Sequence, residues 1–228
     1  MSDVARVTYT PQRIVPLTEI PEEKIMKDLE RYKRLALELG VTAVETVKVD
    51  EYILPFIDER VRFKCLIPKC GNWGTNPNCP PRTPPVDEIR KLLSRYRWAL
   101  VTKIDARPPE DFAGRRTVVD MRFISWYARL NEITHRVETT AWNDGYYLAL
   151  SLTAGSCREY LCHGRKCTAI DPGGECRYPL RARPSLEAYA IDCFGLAAKL
   201  GWEVYPIGVL TDPAKVPCAV CMAVTFII

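Results

Sequence analysis

The chain has 228 residues, 47% of them hydrophobic and 26% charged, with a net charge of +4. These are the proportions of a globular chain long enough to bury a normal core. The mild charge and the lack of a long basic run speak against a nucleic acid or other polyanion as partner. The departure from ordinary composition is ten cysteines.

The opening stretch, MSDVARVTYTPQRIVPLTEIPEEK, lacks the unbroken apolar core of a signal peptide. No run of about eighteen apolar residues occurs, so no membrane span is expected. A cytoplasmic location follows as the expectation, and there reduced thiols serve as metal ligands or catalytic groups. Intracellular disulfides do occur in hyperthermophiles, which keeps that reading open.

In chain order, a helix is expected over about residues 22–39, with Ile25, Leu29, Tyr32, Ala36 and Leu39 on one face and Gly40 at its end. TAVETVKVD reads as a strand. Residues 64–85, KCLIPKCGNWGTNPNCPPRTPP, are rich in Gly, Asn and Pro and read as turns. Thr83 then looks like an N-cap for a short helix with Val86, Ile89, Leu93 and Tyr96 inward. WALVTKID is a strand. A long amphipathic helix is expected near residues 117–142, through Val119, Phe123, Trp126, Leu130, Ile133, Val137 and Ala141. YYLALSL has the apolar run of a central strand. RARPSLEAYAIDCFGLAAKLG reads as a helix ending at Gly201, with WEVYPIGVL and AVTFII as final strands. The expected fold is α/β or α+β, a mostly open mixed sheet covered by helices, with two Cys-rich loops outside the regular elements. We read residues 1–228 as a single domain, in which 1–60 form an N-terminal helix and strand extension and 61–228 a Cys-rich core. The second loop leaves the C-terminal end of YYLALSL, where open α/β sheets commonly place ligands.

Cys157, Cys162, Cys167 and Cys176 are spaced C-x4-C-x4-C-x8-C, and Cys65, Cys70 and Cys79 are spaced C-x4-C-x8-C before Pro80 and Pro81. All-thiolate ligation selects zinc or iron–sulfur centres. Structural zinc prefers close C-x2-4-C pairs and often recruits histidine, and this chain has only His135 and His163. Wider, turn-rich intervals suit a cubane, and a Cys-Pro step after the last ligand is common in cluster-binding runs. The expected cofactor is therefore one or two [4Fe–4S] clusters, with zinc as the alternative. Three cysteines in the first loop leave either a distant fourth ligand or an open iron.

Cys218 and Cys221 form the lone C-x2-C and are candidates for the missing ligand or a redox pair; the apolar run around them equally suits small packed side chains. Cys193 falls on an inward stripe with Leu186, Tyr189, Ala197 and Leu200 and reads as core packing. His163 reads as a partly exposed loop residue, His135 has no assigned role, and Trp73 either shields a cluster or packs. Arg158, Arg165, Lys166, Arg177, Arg181 and Arg183 crowd the second loop. Cations there stabilise an anionic cluster, and Arg82, Arg177, Arg181 and Arg183 are candidates to hold an anionic ligand. Asp171 and Glu175 are acid–base candidates that nothing separates from turn carboxylates.

The motifs VRFKC…NCPP and AGSC…C…C…CRYP…ARPSLEAYAID resemble those of an uncharacterised group of prokaryotic proteins described as predicted metal-binding proteins, domain of unknown function 2284, over roughly residues 60–228. The resemblance implies that Cys65, Cys70, Cys79, Cys157, Cys162, Cys167 and Cys176 are the metal-binding positions, and it implies no reaction. The chain departs from the family pattern in the wider spacing of its second motif. It also has Tyr178 in place of His and Ala190 in place of Gly.

Three functions compete. An electron-transfer protein would need a redox partner protein or a diffusible electron donor, since no nucleotide-binding fingerprint occurs. An enzyme would use an open iron as Lewis acid or sulfur acceptor on a small anionic substrate. A zinc-stabilised binding module would do neither.

Overall fold

The first helix forms where its periodicity places it. In the computed structural model, which describes residues 13–114 and 121–228, α1 runs from Glu22 to Glu38 and buries Ile25, Leu29, Tyr32 and Ala36. Glu22 and Glu23 stand in its first turn, where carboxylates meet the positive end of the helix dipole. Gly40 stops it at a φ of +100°, which a residue without Cβ adopts freely. Strand β1 (Ala43–Lys48) follows, then the short helices α2 (Val49–Tyr52) and α3 (Glu59–Leu66), and then α4 (Val86–Leu93). Strand β2 (Trp98–Ala106), the long helix α5 (Phe123–Asn143) and strand β3 (Leu150–Leu152) come next. Helices α6 (Cys157–Tyr160) and α7 (Cys193–Lys199) precede the last strand, β4 (Ala219–Phe226).

The strands make one open sheet in the order β1-β2-β4-β3. Every pairing is antiparallel, which puts the fold at the α+β end of the expectation. Alternation along the strands sorts the core onto two faces. Val44, Leu100, Ile104 and Ala223 share one apolar cluster with α1 and α5. Val47, Ala99, Val101, Val224 and Phe226 share another with α4 and α7. With helices over both faces, β4 reads as a nearly continuous apolar run, and β2 does so over its first four residues, WALV. Helix α1 is held to the end of α5 by polar contacts as well. Asp28 accepts from Lys24 Nζ at 2.5 Å and from Tyr146 Oη at 3.0 Å, and Asp144 accepts from Tyr32 Oη at 2.8 Å. Burial pushes the Asp28 carboxyl up, but bonds from Lys24, Arg31 and Tyr146 outweigh it and leave it below its ordinary value. No described helix is long and apolar enough to cross a membrane.

Several elements differ from expectation, each for a local reason. YYLALSL supplies only the three residues of β3, and β3 is an edge strand rather than a central one. Tyr147 and Leu148 stay at the surface. WEVYPIGVL is not a strand. It carries Pro206, which has no donor for a ladder, and β4 instead begins earlier, at Ala219. The helix expected through RARPSLEAYAIDCFGLAAKLG breaks into a 3-10 turn, Glu187–Tyr189, and α7. Ala190 sits at φ 61°, and the Asp192 carboxylate caps a new start by accepting from Phe194 N and Gly195 N. Thr83 does not cap α4; its hydroxyl donates to Ala188 O at 3.3 Å. The long helix begins at Phe123, and residues 117–120 of its expected span, Val119 among them, lie outside the described residues.

Candidate metal centre

The first cysteine loop begins inside a helix rather than in turns. Asp58 caps α3 by accepting from Arg60 N, and Cys65 sits in the last turn. From there successive turns carry the chain past the other two cysteines. Cys70 N donates to Cys65 O at 2.9 Å, Trp73 N to Cys70 O at 3.0 Å, and Arg82 N to Cys79 O at 3.1 Å. Cys65 is pushed up to about 11, first by burial, then by Cys70, Glu187 and Cys79, which places the three loop cysteines within one another's field.

The second loop is closed at its base. Thr153, just past β3, donates from its N–H to Pro184 O at 2.9 Å and accepts from Leu186 N at 2.9 Å, so residues 154–183 leave and return at one point. Cys157 opens α6, and the later cysteines follow in turns set by Gly164, Pro172 and Gly173. Arg158 ties this loop together by donating to Gly164 O at 2.6 Å and to Arg165 O at 3.2 Å. Cys157, Cys162, Cys167 and Cys176 all line one cavity of about 250 Å³, together with Arg158, Arg177, Tyr178 and residues Pro77 and Asn78 of the first loop. That volume is several times the roughly 30 Å³ of one water, room for a body of several atoms. Among the described residues no three Cys, His, Asp or Glu side chains converge closely enough to hold a single ion. Zinc keeps its sulfurs at ~2.3 Å, so a zinc site requires thiols nearly in contact. Four thiols around one cavity are the donor set of a soft metal centre, zinc or iron–sulfur. All ten cysteines are free thiols.

The two loops interlock through asparagines that the sequence offered only as turn formers. Asn78 Nδ2 donates to Cys157 Sγ at 3.5 Å, Asn76 Nδ2 donates to Ser156 Oγ at 3.2 Å, and Arg158 Nη1 donates to Asn72 Oδ1 at 3.1 Å. The Cys79 thiol donates to Ser156 Oγ at 3.5 Å. Backbone donors reach sulfur too: Asn72 N to Cys70 Sγ and Tyr178 N to Cys176 Sγ, each at 3.4 Å. N–H groups aimed at sulfur stabilise thiolate charge and tune a bound metal. Cys157 is pushed up to about 12 by burial, eased by the Asn78 bond and raised again by Cys79, Cys176 and Cys162. Cys79 and Cys157 are therefore where the two groups adjoin.

The arginines divide. Arg177 lines the cavity and donates to Lys166 O at 2.8 Å. Arg181 and Arg183 each engage a carboxylate of α5. Arg181 pairs with Glu132, and Arg183 pairs with the buried Glu138, which also accepts from Ser151 N at 2.8 Å. Arg82 is exposed and donates to Gly74 O at 3.0 Å. Arg158 is the cation at the cavity that also spans both loops. Asp171 is held by Lys166 at 2.7 Å, and His163 is exposed at φ 52°. The structural role of Arg183 is testable: Arg183→Met strands a buried carboxylate and is expected to cost about 3 kcal/mol in a denaturant titration. Adding Glu138→Gln should restore much of the loss, since a neutral amide oxygen still meets Ser151 N.

Cys218 and Cys221 do not join either loop group. Cys221 lies in β4 and Cys218 just before it, three positions apart, and alternation points such side chains to opposite faces. Cys218 has Asp105, Arg107, Lys103 and Glu203 as charged neighbours, and Cys221 has Glu187. Cys193, half-buried at the first position of α7, packs against the core cluster of Leu186, Leu196 and Ala197, and its thiol also borders a cavity and donates to Glu187 Oε1 at 3.9 Å. Ala190 occupies a left-handed position, which a glycine would adopt at lower cost.

Comparison with curated proteins and with solved structures gives no match. A family model described as "predicted metal-binding protein (DUF2284)" matches residues 50–221, a span that holds every loop cysteine and the turn at Glu187. The chain belongs to that family of predicted metal-binding proteins.

Proposed function

We propose that the chain is an iron–sulfur protein. In this reading Cys157, Cys162, Cys167 and Cys176 hold one [4Fe–4S] cluster, Cys65, Cys70 and Cys79 hold a second, and the pair relays electrons to a partner protein or from a diffusible donor. The observation that carries it is the convergence of four thiols on a single cavity whose wall is shared with the first loop. A bound cluster supplies one-electron chemistry. The chain's own residues supply the rest. Asn78 and the backbone N–H groups of Asn72 and Tyr178 donate to ligand sulfur, while Arg158 and Arg177 offset the anionic charge of a thiolate-bound cluster.

A second reading, an enzyme with an open iron at the three-cysteine loop, is favoured by a separate cavity bordered by Glu187, the carboxylate nearest in effect to Cys65. Anaerobic purification decides between these and a zinc module. A brown protein with broad absorption near about 400 nm and about eight irons per chain supports the two-cluster reading. A spectral change on adding cyanide favours the open iron. A colourless protein with stoichiometric zinc would overturn the proposal.

A further inference from the structure

The cavity beside Glu187 is distinct from the one among the second-loop cysteines. It encloses about 350 Å³, within the range of small-molecule sites. Four rings, Phe112, Tyr127, Phe194 and Tyr205, stand on its wall, and Glu187 is the single charged side chain there. No described Lys or Arg pairs with that carboxylate; its one side-chain contact is the weak 3.9 Å bond from the Cys193 thiol. The Tyr127 hydroxyl has no hydrogen-bond partner among the described residues. A carboxylate against apolar walls, without a cation, is complementary to a cation brought by a ligand. Aromatic faces add to that attraction, as in sites that recognise ammonium groups.

The place of the cavity is informative too. Glu187 borders it and is also a charged neighbour of Cys65. Tyr127 borders it and packs against the cluster of Cys157, Tyr160 and Cys162. A molecule seated there adjoins one residue that packs against the second cysteine group and one whose charge is felt at Cys65 of the first.

We propose that this cavity binds a small primary amine with an aromatic or similarly flat apolar body, its ammonium group paired with Glu187. The inference concerns binding and does not depend on which metal the loops hold. The test uses calorimetry on the anaerobically purified, metal-loaded protein, with 2-phenylethylamine as probe. The neutral 2-phenylethanol and the anionic 3-phenylpropionate are the comparisons. The amine is expected to bind at least about tenfold more tightly than the alcohol, and the anion more weakly still. Glu187→Gln should lower amine affinity by about tenfold or more while leaving the alcohol unchanged. Ile207→Trp, which fills the cavity from its half-exposed rim, should abolish binding of both. An amine that binds no better than the alcohol, or one unaffected by Glu187→Gln, overturns the proposal. If Glu187→Gln fails to fold, Ile207→Trp decides alone, and amine binding retained there also overturns it.

Discussion

On the proposed two-cluster reading, Cys176→Ala protein, purified without oxygen, is expected to carry about four irons per chain where the parent carries about eight. Cys176 is the variant of choice because it is only half-buried where the other three second-loop thiols are buried, so truncation disturbs packing least, and alanine offers iron no ligand atom. The first loop keeps its own three cysteines and its turns, and its centre should survive with half of the visible absorption. Equal iron in both proteins would mean that Cys176 holds no metal, and loss of all iron would mean one shared centre. The same loading should release protons. Ligand sulfur must be thiolate, and burial holds Cys65 at about 11 and Cys157 at about 12. Both values lie above neutrality, so each of these thiols gives up a proton on binding, and metal affinity should rise with pH between about 6 and 9. A competition titration against a chelator at several pH values reads this slope directly.

The second large effect is expected at Gly155. Its φ is +69°, and a Cβ there would meet Tyr127 Cδ2 at 2.3 Å and Cε2 at 2.7 Å. Left-handed backbone costs a non-glycine residue roughly 1–3 kcal/mol, and overpacking against a held ring adds a similar amount. Tyr127 cannot swing away freely, because its ring packs edge-on against Phe112 at 5.9 Å and Phe123 at 5.6 Å. Gly155→Ala should therefore lose about 3 kcal/mol or more in stability. It should also displace Cys157, two residues on, and so lower metal content in the second loop selectively. A variant with parental melting temperature and metal would show that the ring and the loop entry move apart without cost. Tyr127→Leu with Gly155→Ala should recover part of the stability, since the clash lies with the ring and only the backbone cost remains.

How much of this was legible beforehand depends on the range of the interaction concerned. Helices α1, α4 and α5 could be read from their 3.6-residue apolar spacing, because that pattern is local and one face of each is buried. The cysteine groups could be read because short intervals in turn-rich chain bring thiols together by themselves. The edge position of β3 could not be read, because an apolar run of strand length looks the same wherever it lies in the sheet. The break at Ala190 was hidden as well, since Asp192 caps a helix only after the chain has turned left-handed before it.

By itself, then, the sequence determined that this is a cysteine-rich globular chain with two thiol groups in loops between covered sheet elements. Only the tertiary structure decided what those groups meet. The bond from Asn78 to Cys157 joins residues 79 positions apart. Arg183 is drawn to Glu138 on α5 rather than to an anion, and Glu187 meets a set of rings contributed by four separate segments. Side-chain partners of this kind are chosen by packing and burial across the fold. Neither spacing nor composition along the chain carries that information.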